Sequence, residues 1–513
     1  MDLTGARILR RAGLLRPARP DRLLGMALQV ARWDLTPAGA YAVAAARDPH
    51  GLALVDDEGA LTFREVDQRS DRIAGELRAR GLQPGDAVGL LARNGRGFVE
   101  SLVALSKCGA DVLLLNTGFG APQVTAVLGR EDAAMVLHDA DFTALVEGAS
   151  TGRLHLTTED LGELARTGTH PAPARSGRMG RVVILTSGTT GAPRGAARSS
   201  GTADDLVAFL SRIPLRAGER TVIAAPTFHA WGLGHLTLAV LLGSTAVLQR
   251  RFDPKAVLAA VEEHRATALV VVPVMLDKLL EADPSGFDTS SLQVIASSGS
   301  ALPGELATRV LDAFGPVLYN LYGSTEAAYA AVATPEELRA DPRTAGRPPY
   351  GVTLRVVDDA GVEVPPGTQG RIFVGSGLAF GGYTDGTDKE RLDGLVATGD
   401  LGVIDAEGLL TVLGRDDDMV VIGGENVHLN QVEEALLSHP GVVECAVTAE
   451  DDPAFGVRLV AHVVGTAAEA ELKERVREQV ARFAVPREVR YLDVLPRNST
   501  GKVVKRELVS DPA

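Results

Sequence analysis

From about residue 50 onward, short apolar runs alternate with segments that have the hydrophobic spacing of helices, and this alternation constrains the fold most. The apolar runs lie at residues 86–91, 111–115, 133–137, 181–185, 221–225, 245–248, 268–272, 293–296 and 317–319. Strands that alternate with helices are typical of α/β folds with doubly wound, largely parallel sheets. A chain of 513 residues is too long for one hydrophobic core, so we expect two or more domains.

The pattern changes twice in the second half of the chain. Residues 341–413 are rich in glycine and proline and contain short apolar runs at 353–357 and 371–374, which predict a small antiparallel barrel or sheet. Beyond Gly414, strand-like runs at 442–448 and 458–464 precede a helix that we expect to begin at Thr466, because Thr466 and Glu469 have capping-box spacing. We therefore predict an N-terminal extension (1–49), a large α/β domain (50–414) and a smaller α+β domain (415–513).

Composition excludes several classes of function. The formal net charge of −14 argues against a general nucleic-acid binder. The two cysteines, Cys108 and Cys445, form neither a disulfide framework nor a zinc-binding spacing and suit a reducing compartment, so a cytoplasmic location is expected. The N-terminus is rich in arginine but lacks the apolar core of a secretory signal, which favours a solvated helix with at most peripheral membrane contact.

The sequence TSGTTGAPRG at 186–195 directly follows an apolar run and has the composition of a phosphate cradle. Glycines let the backbone approach phosphate oxygens closely, while small hydroxyls and one cation add donors and charge. The loop lacks the Gly-Lys-Ser/Thr ending of the common nucleotide-triphosphate loop, so γ-phosphate transfer is not expected. Its candidate phosphate ligands are Thr186, Ser187, Gly188, Thr189, Thr190, Gly191 and Arg194.

This loop resembles the phosphate-binding signature of the adenylate-forming, or AMP-binding, superfamily, which includes acyl-CoA synthetases, luciferases and peptide-synthetase adenylation domains. Arg194 stands where that family usually has lysine; the charge is kept but the geometry differs. Further segments resemble the family's motifs in the family's order. They are PTFHAWGLG at 226–234, SSGSALP at 297–303, NLYGSTEA at 320–327, ATGD at 397–400, GRDDDMVVIGGENVHLNQVE at 414–433 and PRNSTGKVVKREL at 496–508.

The resemblance implies a role for each motif. Tyr322 would stack on adenine, Thr325 would bind the α-phosphate and Glu326 would help to hold Mg²⁺, a cation that prefers oxygen ligands. Asp400 and Arg415 would contact the ribose, Asp417 would be the hinge of a mobile C-terminal domain, and Lys502 would be the catalytic lysine. The remaining residues implied in nucleotide binding are Ser298, Gly299, Ser300, Asn320 and Gly323, and those implied along a pantetheine tunnel are Gly423, Gly424 and Glu425.

The segment at 226–234 bears on the choice of acid. His229 takes the place of the family's gating aromatic residue, and Ala230 stands where amino-acid-activating relatives have an aspartate. A buried ammonium without a carboxylate partner is costly, which disfavours an α-amino acid as substrate. We therefore expect an apolar carboxylic acid, and a fatty acid in particular, in a pocket formed by His229, Ala230, Trp231, Gly232 and Ser298.

Together these motifs predict an acid–thiol ligase of the acyl-CoA synthetase type that uses ATP, Mg²⁺ and CoA. Its catalytic residues would be Lys502, Glu326, Thr186 and His229. Two alternatives stay open: an acyl-AMP ligase that loads the thiol of an acyl carrier protein, and a non-catalytic nucleotide-binding scaffold. A luciferase-like oxygenase has no sequence feature in its support.

Overall fold

The structure is a computed structural model that describes most of the chain. The described residues are 2–15, 19–34, 36–150, 152–174, 177–186, 194–198, 203–324, 326–377, 380–383, 388–416, 419–422, 425–452, 456–498 and 501–509.

Helices and strands alternate through the first two thirds of the chain. The helices are α1 (Leu3–Arg11), α2 (Pro20–Trp33), α3 (Pro37–Arg47), α4 (Phe63–Ala79), α5 (Arg96–Cys108), α6 (Ala121–Arg130), α7 (Thr143–Ala149), α8 (Thr158–Thr167), α9 (Ala203–Arg212), α10 (Ala230–Leu241), α11 (Pro254–His264), α12 (Pro273–Glu281), α13 (Gly304–Phe314), α14 (Pro335–Ala340), α15 (Leu429–Leu437) and α16 (Glu469–Gln479). The strands of the first half are β1 (Leu52–Asp56), β2 (Gly59–Thr62), β3 (Ala87–Leu91), β4 (Asp111–Leu114), β5 (Ala133–His138), β6 (Leu154–Thr157), β7 (Val182–Thr186), β8 (Arg194–Arg198), β9 (Arg220–Ile223), β10 (Thr245–Leu248), β11 (Ala268–Val271), β12 (Val294–Ser297), β13 (Leu318–Tyr322) and β14 (Ala331–Ala333).

Strands dominate from residue 353 to the end of the described chain. They are β15 (Thr353–Val357), β16 (Gln369–Gly375), β17 (Phe380–Tyr383), β18 (Arg391–Leu392), β19 (Leu395–Ile404), β20 (Leu410–Arg415), β21 (Met419–Ile422), β22 (Glu425–His428), β23 (Val442–Asp452), β24 (Gly456–Gly465) and β25 (Glu488–Tyr491).

An eight-stranded sheet carries most of the candidate site. Its order is β14-β13-β12-β11-β9-β10-β1-β2, with parallel pairing from β13 to β1 and an antiparallel strand at each edge. Every residue of β10, β11 and β12 is buried, which explains why these strands are continuous apolar runs rather than alternating patterns. From β9 the chain moves to β10 on one side and then to β11 on the other, so the carboxyl ends of β9 and β11 border a crevice of the kind in which open α/β sheets bind ligands.

A second sheet has seven strands in the order β17-β8-β7-β4-β3-β5-β6, parallel from β7 to β6 and antiparallel at β8 and β17. The largest hydrophobic core joins the two large sheets, with Val88 and Leu90 on one side and Val222 and Leu269 on the other. The prediction of two doubly wound sheets is confirmed.

The expected antiparallel unit is present as a five-stranded sheet, β15-β16-β19-β18 with β20 beside β19. Toward the C-terminus, β21 and β22 form a hairpin, and β23, β24 and β25 form a sheet covered by α15 and α16 around a separate core. The predicted α+β character of this region is confirmed.

The predicted helix start at Thr466 is wrong. Helix α16 begins at Glu469, with Ala468 at its N-cap in an extended conformation and without a side-chain cap. The backbone N–H groups of Thr466 and Ala467 instead donate to the carbonyl oxygen of Gly441, at 2.8 and 3.1 Å. This tertiary contact holds the two residues outside the helix and prevails over the local capping pattern.

The first 49 residues contain more structure than a solvated helix. Helices α1, α2 and α3 lie there, and α3 contributes Tyr41 and Ala44 to the largest core. The boundary at residue 50 stays a prediction, but α3 packs with the chain that follows it. In the described part of the chain, no helix is both long and apolar enough to cross a membrane.

Candidate active site

A cavity of about 1780 Å³ lies at the carboxyl ends of the large parallel sheet and extends to the C-terminal segment. Ligand pockets are usually about 300–1,000 Å³, so this cavity has room for a nucleotide and a second substrate together. Most of the predicted site residues whose side chains are described form its wall. They are His229, Ala230, Trp231, Ser298, Gly299, Ser300, Asn320, Tyr322, Gly323, Glu326, Asp400, Arg415 and Lys502.

The topology explains why these distant motifs meet. His229 follows β9, Ser298 to Ser300 follow β12, and Gly323 and Glu326 follow β13. These strands are neighbours or near neighbours in one parallel sheet, so their carboxyl ends share an edge. Asp400 and Arg415 come from the antiparallel sheet, where β19 and β20 pair them directly.

Tyr322, Asp400 and Arg415 form a buried polar network. The Tyr322 hydroxyl donates to Asp400 Oδ2 at 2.5 Å, and the Arg415 guanidinium lies 3.5 Å from Asp400 Oδ1. Burial raises the pKa of Asp400, while the Tyr322 hydrogen bond and the charges of Arg415 and Lys502 oppose that rise. Burial and the Asp400 charge also raise the pKa of Tyr322, so its hydroxyl keeps its proton. The carboxylate is thus oriented toward the cavity and can accept hydrogen bonds from a sugar hydroxyl.

The turn after β13 is built around a close backbone contact. A Cβ on Gly323 would lie 2.0 Å from the carbonyl oxygen of Ala328, which excludes any larger residue without a backbone shift. The Ser324 hydroxyl accepts hydrogen bonds from the backbone N–H groups of Glu326 at 3.2 Å and Ala327 at 2.9 Å. This arrangement fixes the backbone of Glu326 beside the cavity.

Glu326 lines the cavity, and its carboxylate is the kind of oxygen ligand that a hard cation such as Mg²⁺ takes together with phosphate oxygens. Among the described residues, no group of three or more histidine, cysteine, aspartate or glutamate side chains could hold a metal ion.

Several residues on the cavity wall have a buried polar side-chain atom that lacks a hydrogen-bond partner within the described chain. These atoms are Asn320 Oδ1, His229 Nε2, His235 Nε2, Tyr41 Oη, His428 Nδ1 and Asn430 Oδ1. Buried polar groups are nearly always paired in native proteins. Sequence reasoning identified only Asn320 and His229 of this set.

His229 lies at the N-cap position of α10, and its ring packs against Phe228 with the centroids 4.5 Å apart. Burial lowers the pKa of His229 to about 4, so the imidazole is neutral at neutral pH. A neutral, enclosed ring beside the nucleotide residues is compatible with the gating role implied by the resemblance.

One side of the cavity has an aromatic wall made of Trp231, His235 and Phe209. Trp231 Nε1 donates to the Val271 carbonyl oxygen at 3.0 Å, which fixes the indole. His235 lies one helical turn beyond Trp231. Its ring is edge-on to the indole, and the two ring centroids lie 4.2 Å apart. Sequence reasoning missed His235 and Phe209, although the i, i+4 spacing from Trp231 could have indicated His235.

Lys502 lies near the end of the described chain and is hydrogen-bonded to Asn498. The backbone N–H of Lys502 donates to Asn498 Oδ1 at 2.9 Å, and the backbone N–H of Asn498 donates to the Lys502 carbonyl oxygen. A Cβ on Gly501 would lie 2.3 Å from Val274 Cγ1, so Gly501 packs directly on α12. This contact brings the Lys502 charge close enough to lower the pKa of Asp400.

Gly232 does not line the cavity. A Cβ there would lie 2.3 Å from the carbonyl oxygen of Pro226, so the structure gives this glycine a packing role, in contrast to its predicted place in the acyl pocket.

Several predicted site residues lie outside the described residues or are described only in their backbone. Thr186 ends β7 and pairs with Arg194 at the start of β8, so the predicted phosphate loop connects two antiparallel strands. Glu425 pairs with Ile422 in the hairpin of β21 and β22. Outside the described residues lie Ser187, Gly188, Thr189, Thr190, Gly191, Thr325, Asp417, Gly423 and Gly424.

Comparisons with known proteins agree with this geometry. The family profile described as AMP-binding enzyme matches residues 41–384, and that of the AMP-binding enzyme C-terminal domain matches residues 431–502. The chain is 34% identical over 484 residues to a feruloyl-CoA synthase from Amycolatopsis sp, covering 92% of this chain and 98% of that protein. It is 31% identical over 470 residues to a 2-succinylbenzoate–CoA ligase from Bacillus thuringiensis subsp. konkukian, and the match covers 90% of this chain and 95% of that protein.

Solved structures show the same fold. The o-succinylbenzoate CoA synthetase from Bacillus subtilis in complex with its acyl-adenylate intermediate has a TM-score of 0.84 and 27% identity, over 92% of this chain and 98% of that chain. The same synthetase in complex with ATP and a magnesium ion has a TM-score of 0.82 and 27% identity, over 91% and 98%. From the matched profiles, the curated relatives and the fold together, the chain belongs to the AMP-binding enzyme family and is of the acyl-CoA synthetase type.

Proposed function

We propose that this protein is an AMP-forming acid–CoA ligase whose substrate is an aromatic carboxylic acid. The observation that carries the proposal is one continuous cavity in which a nucleotide-type network, Tyr322–Asp400–Arg415, adjoins the aromatic wall of Trp231, His235 and Phe209. Aromatic side chains suit an aryl ring, because offset and edge-to-face contacts add to apolar burial.

The curated relatives support an aromatic acid. Their names state feruloyl-CoA synthase and 2-succinylbenzoate–CoA ligase activities. The fatty acid expected from the sequence has no support among them, and we replace that expectation with an aryl acid. ATP, Mg²⁺ and CoA complete the set of small molecules that the proposal requires, and a cytoplasmic location stays a prediction.

The reaction has two half-reactions. In the first, the acid's carboxylate attacks the α-phosphorus of ATP, an acyl–phosphate bond forms and pyrophosphate leaves. In the second, the CoA thiolate attacks the acyl carbonyl carbon, a thioester forms and AMP leaves. No general base is needed in the first step, because a carboxylic acid is already ionised at neutral pH.

The residues around the cavity would reduce the electrostatic repulsion between the two substrates, because an anionic acid must approach a polyanionic nucleotide. Lys502 would neutralise charge that grows on the α-phosphate, and Asp400 with Arg415 would hold the ribose so that the phosphorus faces the acid. Bound Mg²⁺ would supply additional positive charge to the phosphates, with Glu326 as its protein ligand. His229 and Trp231 would enclose the acid end and exclude water.

Acid-dependent exchange of pyrophosphate into ATP tests the first half-reaction. We expect exchange with aryl acids and much weaker exchange with fatty acids of similar length. If none of the acids tested gives exchange, the non-catalytic scaffold is supported. A preference for fatty acids over aryl acids would contradict the proposed aromatic pocket. Offering CoA and an acyl carrier protein to the loaded enzyme then separates the two possible thiol acceptors.

Lys502→Ala tests the proposed site. Loss of one preorganised charged donor typically lowers the rate about 10²–10³-fold, so adenylate formation should fall by that factor. Thioester formation from a supplied acyl-adenylate should be spared. Arg506→Ala is the matched control, because Arg506 is an exposed cation in the same segment that does not line the cavity. Equal loss of both half-reactions in Lys502→Ala would contradict the assignment.

A further inference from the structure

Helix α2 presents its apolar side to solvent instead of to the protein. Leu23, Leu24, Leu28 and Val30 are between 42% and 63% exposed. Together with the exposed Ala27, they repeat at the three- and four-residue spacing that places side chains on one face of a helix. A surface helix of a globular protein normally turns such a face toward the core. Core packing therefore does not account for the leucines of this helix.

The opposite side of α2 is fixed to α3 by small and polar residues. A Cβ on Gly25 would lie 3.5 Å from Ala46 Cβ, which is ordinary van der Waals contact. The Arg22 guanidinium donates to the Arg47 carbonyl oxygen at 2.8 Å, and Gln29 is partly buried on the same side. These contacts set the rotation of the helix about its own axis, so the leucines are held outward.

The segment that contains α2 is basic in an otherwise acidic protein. Residues 1–34 include seven arginines and three aspartates but no lysine or glutamate, a formal charge of +4, whereas the whole chain carries −14. Arg19 and Arg32 are exposed near the two ends of α2, and Arg19 pairs with Asp21 at 3.1 Å. Arginine beside an exposed apolar helix face is typical of helices that lie in the interface of a membrane.

Helix α2 also borders the cavity of the candidate active site. Met26 and Val30 line that cavity, while the leucines of the same helix face solvent. The helix precedes the part of the chain that the AMP-binding profile matches, which begins at residue 41. A surface that binds the leucines would therefore lie beside the cavity, through a segment that precedes the profile match.

A second copy of the chain is a poorer partner for this face than a bilayer. A two-fold dimer brings the same surface of both copies together, so a dimer through α2 would place two segments of charge +4 against each other. A bilayer with anionic headgroups offers the opposite charge together with an apolar interior. Acidic side chains elsewhere in the chain are largely screened from the bilayer where they lie more than about 8–10 Å from it.

We propose that the exposed face of α2 docks on the surface of an anionic lipid bilayer. Leu23, Leu24 and Leu28 insert at the boundary between headgroups and acyl chains, and Arg19 and Arg32 pair with anionic headgroups. The helix lies in the plane of the interface. Docking places the part of the cavity wall that α2 forms beside the bilayer. The inference does not depend on which acid the enzyme activates.

Co-sedimentation of the full chain with lipid vesicles at physiological ionic strength tests the proposal. One set of vesicles is pure phosphatidylcholine, and the other is an equal mixture of phosphatidylcholine and phosphatidylglycerol. Each arginine near an anionic surface raises partition about fivefold. We therefore expect the wild type to bind the anionic vesicles at least about tenfold more strongly than the neutral vesicles.

The double substitution Leu24→Gln/Leu28→Gln removes two apolar side chains from the face and keeps residues that favour a helix. It should lower partition into anionic vesicles by at least about tenfold, because less apolar area is buried on docking. Val362→Gln/Val494→Gln is the matched control, since both valines are exposed and neither lies in α2 or lines the cavity. This control should bind vesicles as the wild type does.

The double substitution Arg19→Gln/Arg32→Gln tests the charge. It should lower partition into anionic vesicles by about tenfold and leave the weaker partition into neutral vesicles unchanged. Far-UV circular dichroism and thermal unfolding show whether each variant keeps the fold. If a variant does not fold, the wild-type comparison of anionic with neutral vesicles still decides the matter.

Three results would overturn the proposal. They are a wild type that binds neither vesicle, equal binding to neutral and anionic vesicles, and undiminished binding by a folded Leu24→Gln/Leu28→Gln variant. Analytical ultracentrifugation identifies the other occupant: a wild-type dimer that becomes a monomer in the leucine variant, without vesicle binding, would assign the face to a second copy. Vesicle binding is measured without substrate, so failure of the proposed function would leave this test unaffected.

Discussion

Lowering the pH should destabilise this protein through two histidines: His235, which is buried, and His229, which is half-buried with its Nε2 enclosed. Burial lowers the pKa of each from its ordinary value of 6.5 to about 4. Between these two values the unfolded chain binds a proton that the folded chain excludes. Stability is therefore fully present above about pH 6.5 and is lost as the pH falls toward 4.

The size of the effect follows from the two pKa values. One group with a pKa of about 4 when folded and about 6.5 when unfolded loses about 2 kcal/mol of folding stability between pH 7.5 and pH 5, and two independent groups lose about 4 kcal/mol. This is a large fraction of the roughly 5–15 kcal/mol that holds a typical domain together.

Equilibrium urea unfolding at pH 7.5, 6.5, 5.5 and 5.0, followed by far-UV circular dichroism, measures the effect. The histidine contribution is isolated by the difference between wild type and His229→Phe or His235→Phe at each pH, because all other titrating groups cancel. We expect that difference to shift by about 2 kcal/mol in favour of each variant between pH 7.5 and pH 5.

Phe228→Leu is the matched control beside His229. It should destabilise the fold, but by the same amount at every pH, because no titrating group is removed. A constant difference across pH for both histidine variants would refute the reasoning, since it would mean that these imidazoles bind protons equally well in the folded and unfolded chains.

Three further predictions follow from single contacts. Gly323→Ala should abolish pyrophosphate exchange and destabilise the protein by about 1–3 kcal/mol in thermal unfolding, because its Cβ would lie 2.0 Å from the Ala328 carbonyl oxygen. Tyr322→Phe should move the acid limb of the kcat/KM profile for ATP to higher pH, because it removes a hydrogen bond that holds the pKa of Asp400 down; an unmoved limb would contradict this role. Lys107→Met should cost about 1–3 kcal/mol of stability with unchanged kinetic constants at permissive temperature, because its fully buried ammonium lies 2.7 and 2.6 Å from two partly exposed carboxylates that do not line the cavity.

Much of the architecture could be predicted from local patterns. The runs at 245–248 and 353–357 coincide with β10 and β15. Strand β10 is a continuous apolar run because it is buried along its length, whereas only the last two residues of β15 are buried. The doubly wound character follows from the same alternation. Local pattern failed at Thr466, where a backbone contact to Gly441 excludes two residues from the helix that their side chains would have capped.

The candidate site likewise contains some residues that could be predicted from the sequence and others that could not. The motifs at 226–234, 297–303 and 320–327 each follow a strand, and the carboxyl ends of parallel strands share one edge of a sheet, so their proximity could be predicted. His235 could not be found in this way, because a histidine within an apolar helix carries no signal until its neighbours are known. Gly232 was predicted to line the acid pocket because its neighbours in the motif do. A Cβ on this residue would instead lie against the carbonyl oxygen of Pro226.

The sequence by itself determined which chemical groups this protein has, the strand that each one follows, and hence the reaction class. Only the tertiary structure decided which groups meet. Tyr322 and Asp400 lie 78 positions apart and on different sheets, yet their side chains share a hydrogen bond. Tertiary burial likewise decided that His235 is neutral, with its hydrogen on Nδ1 and a lone pair on Nε2. Such properties depend on the desolvation and contacts that other segments impose, and no local pattern encodes them.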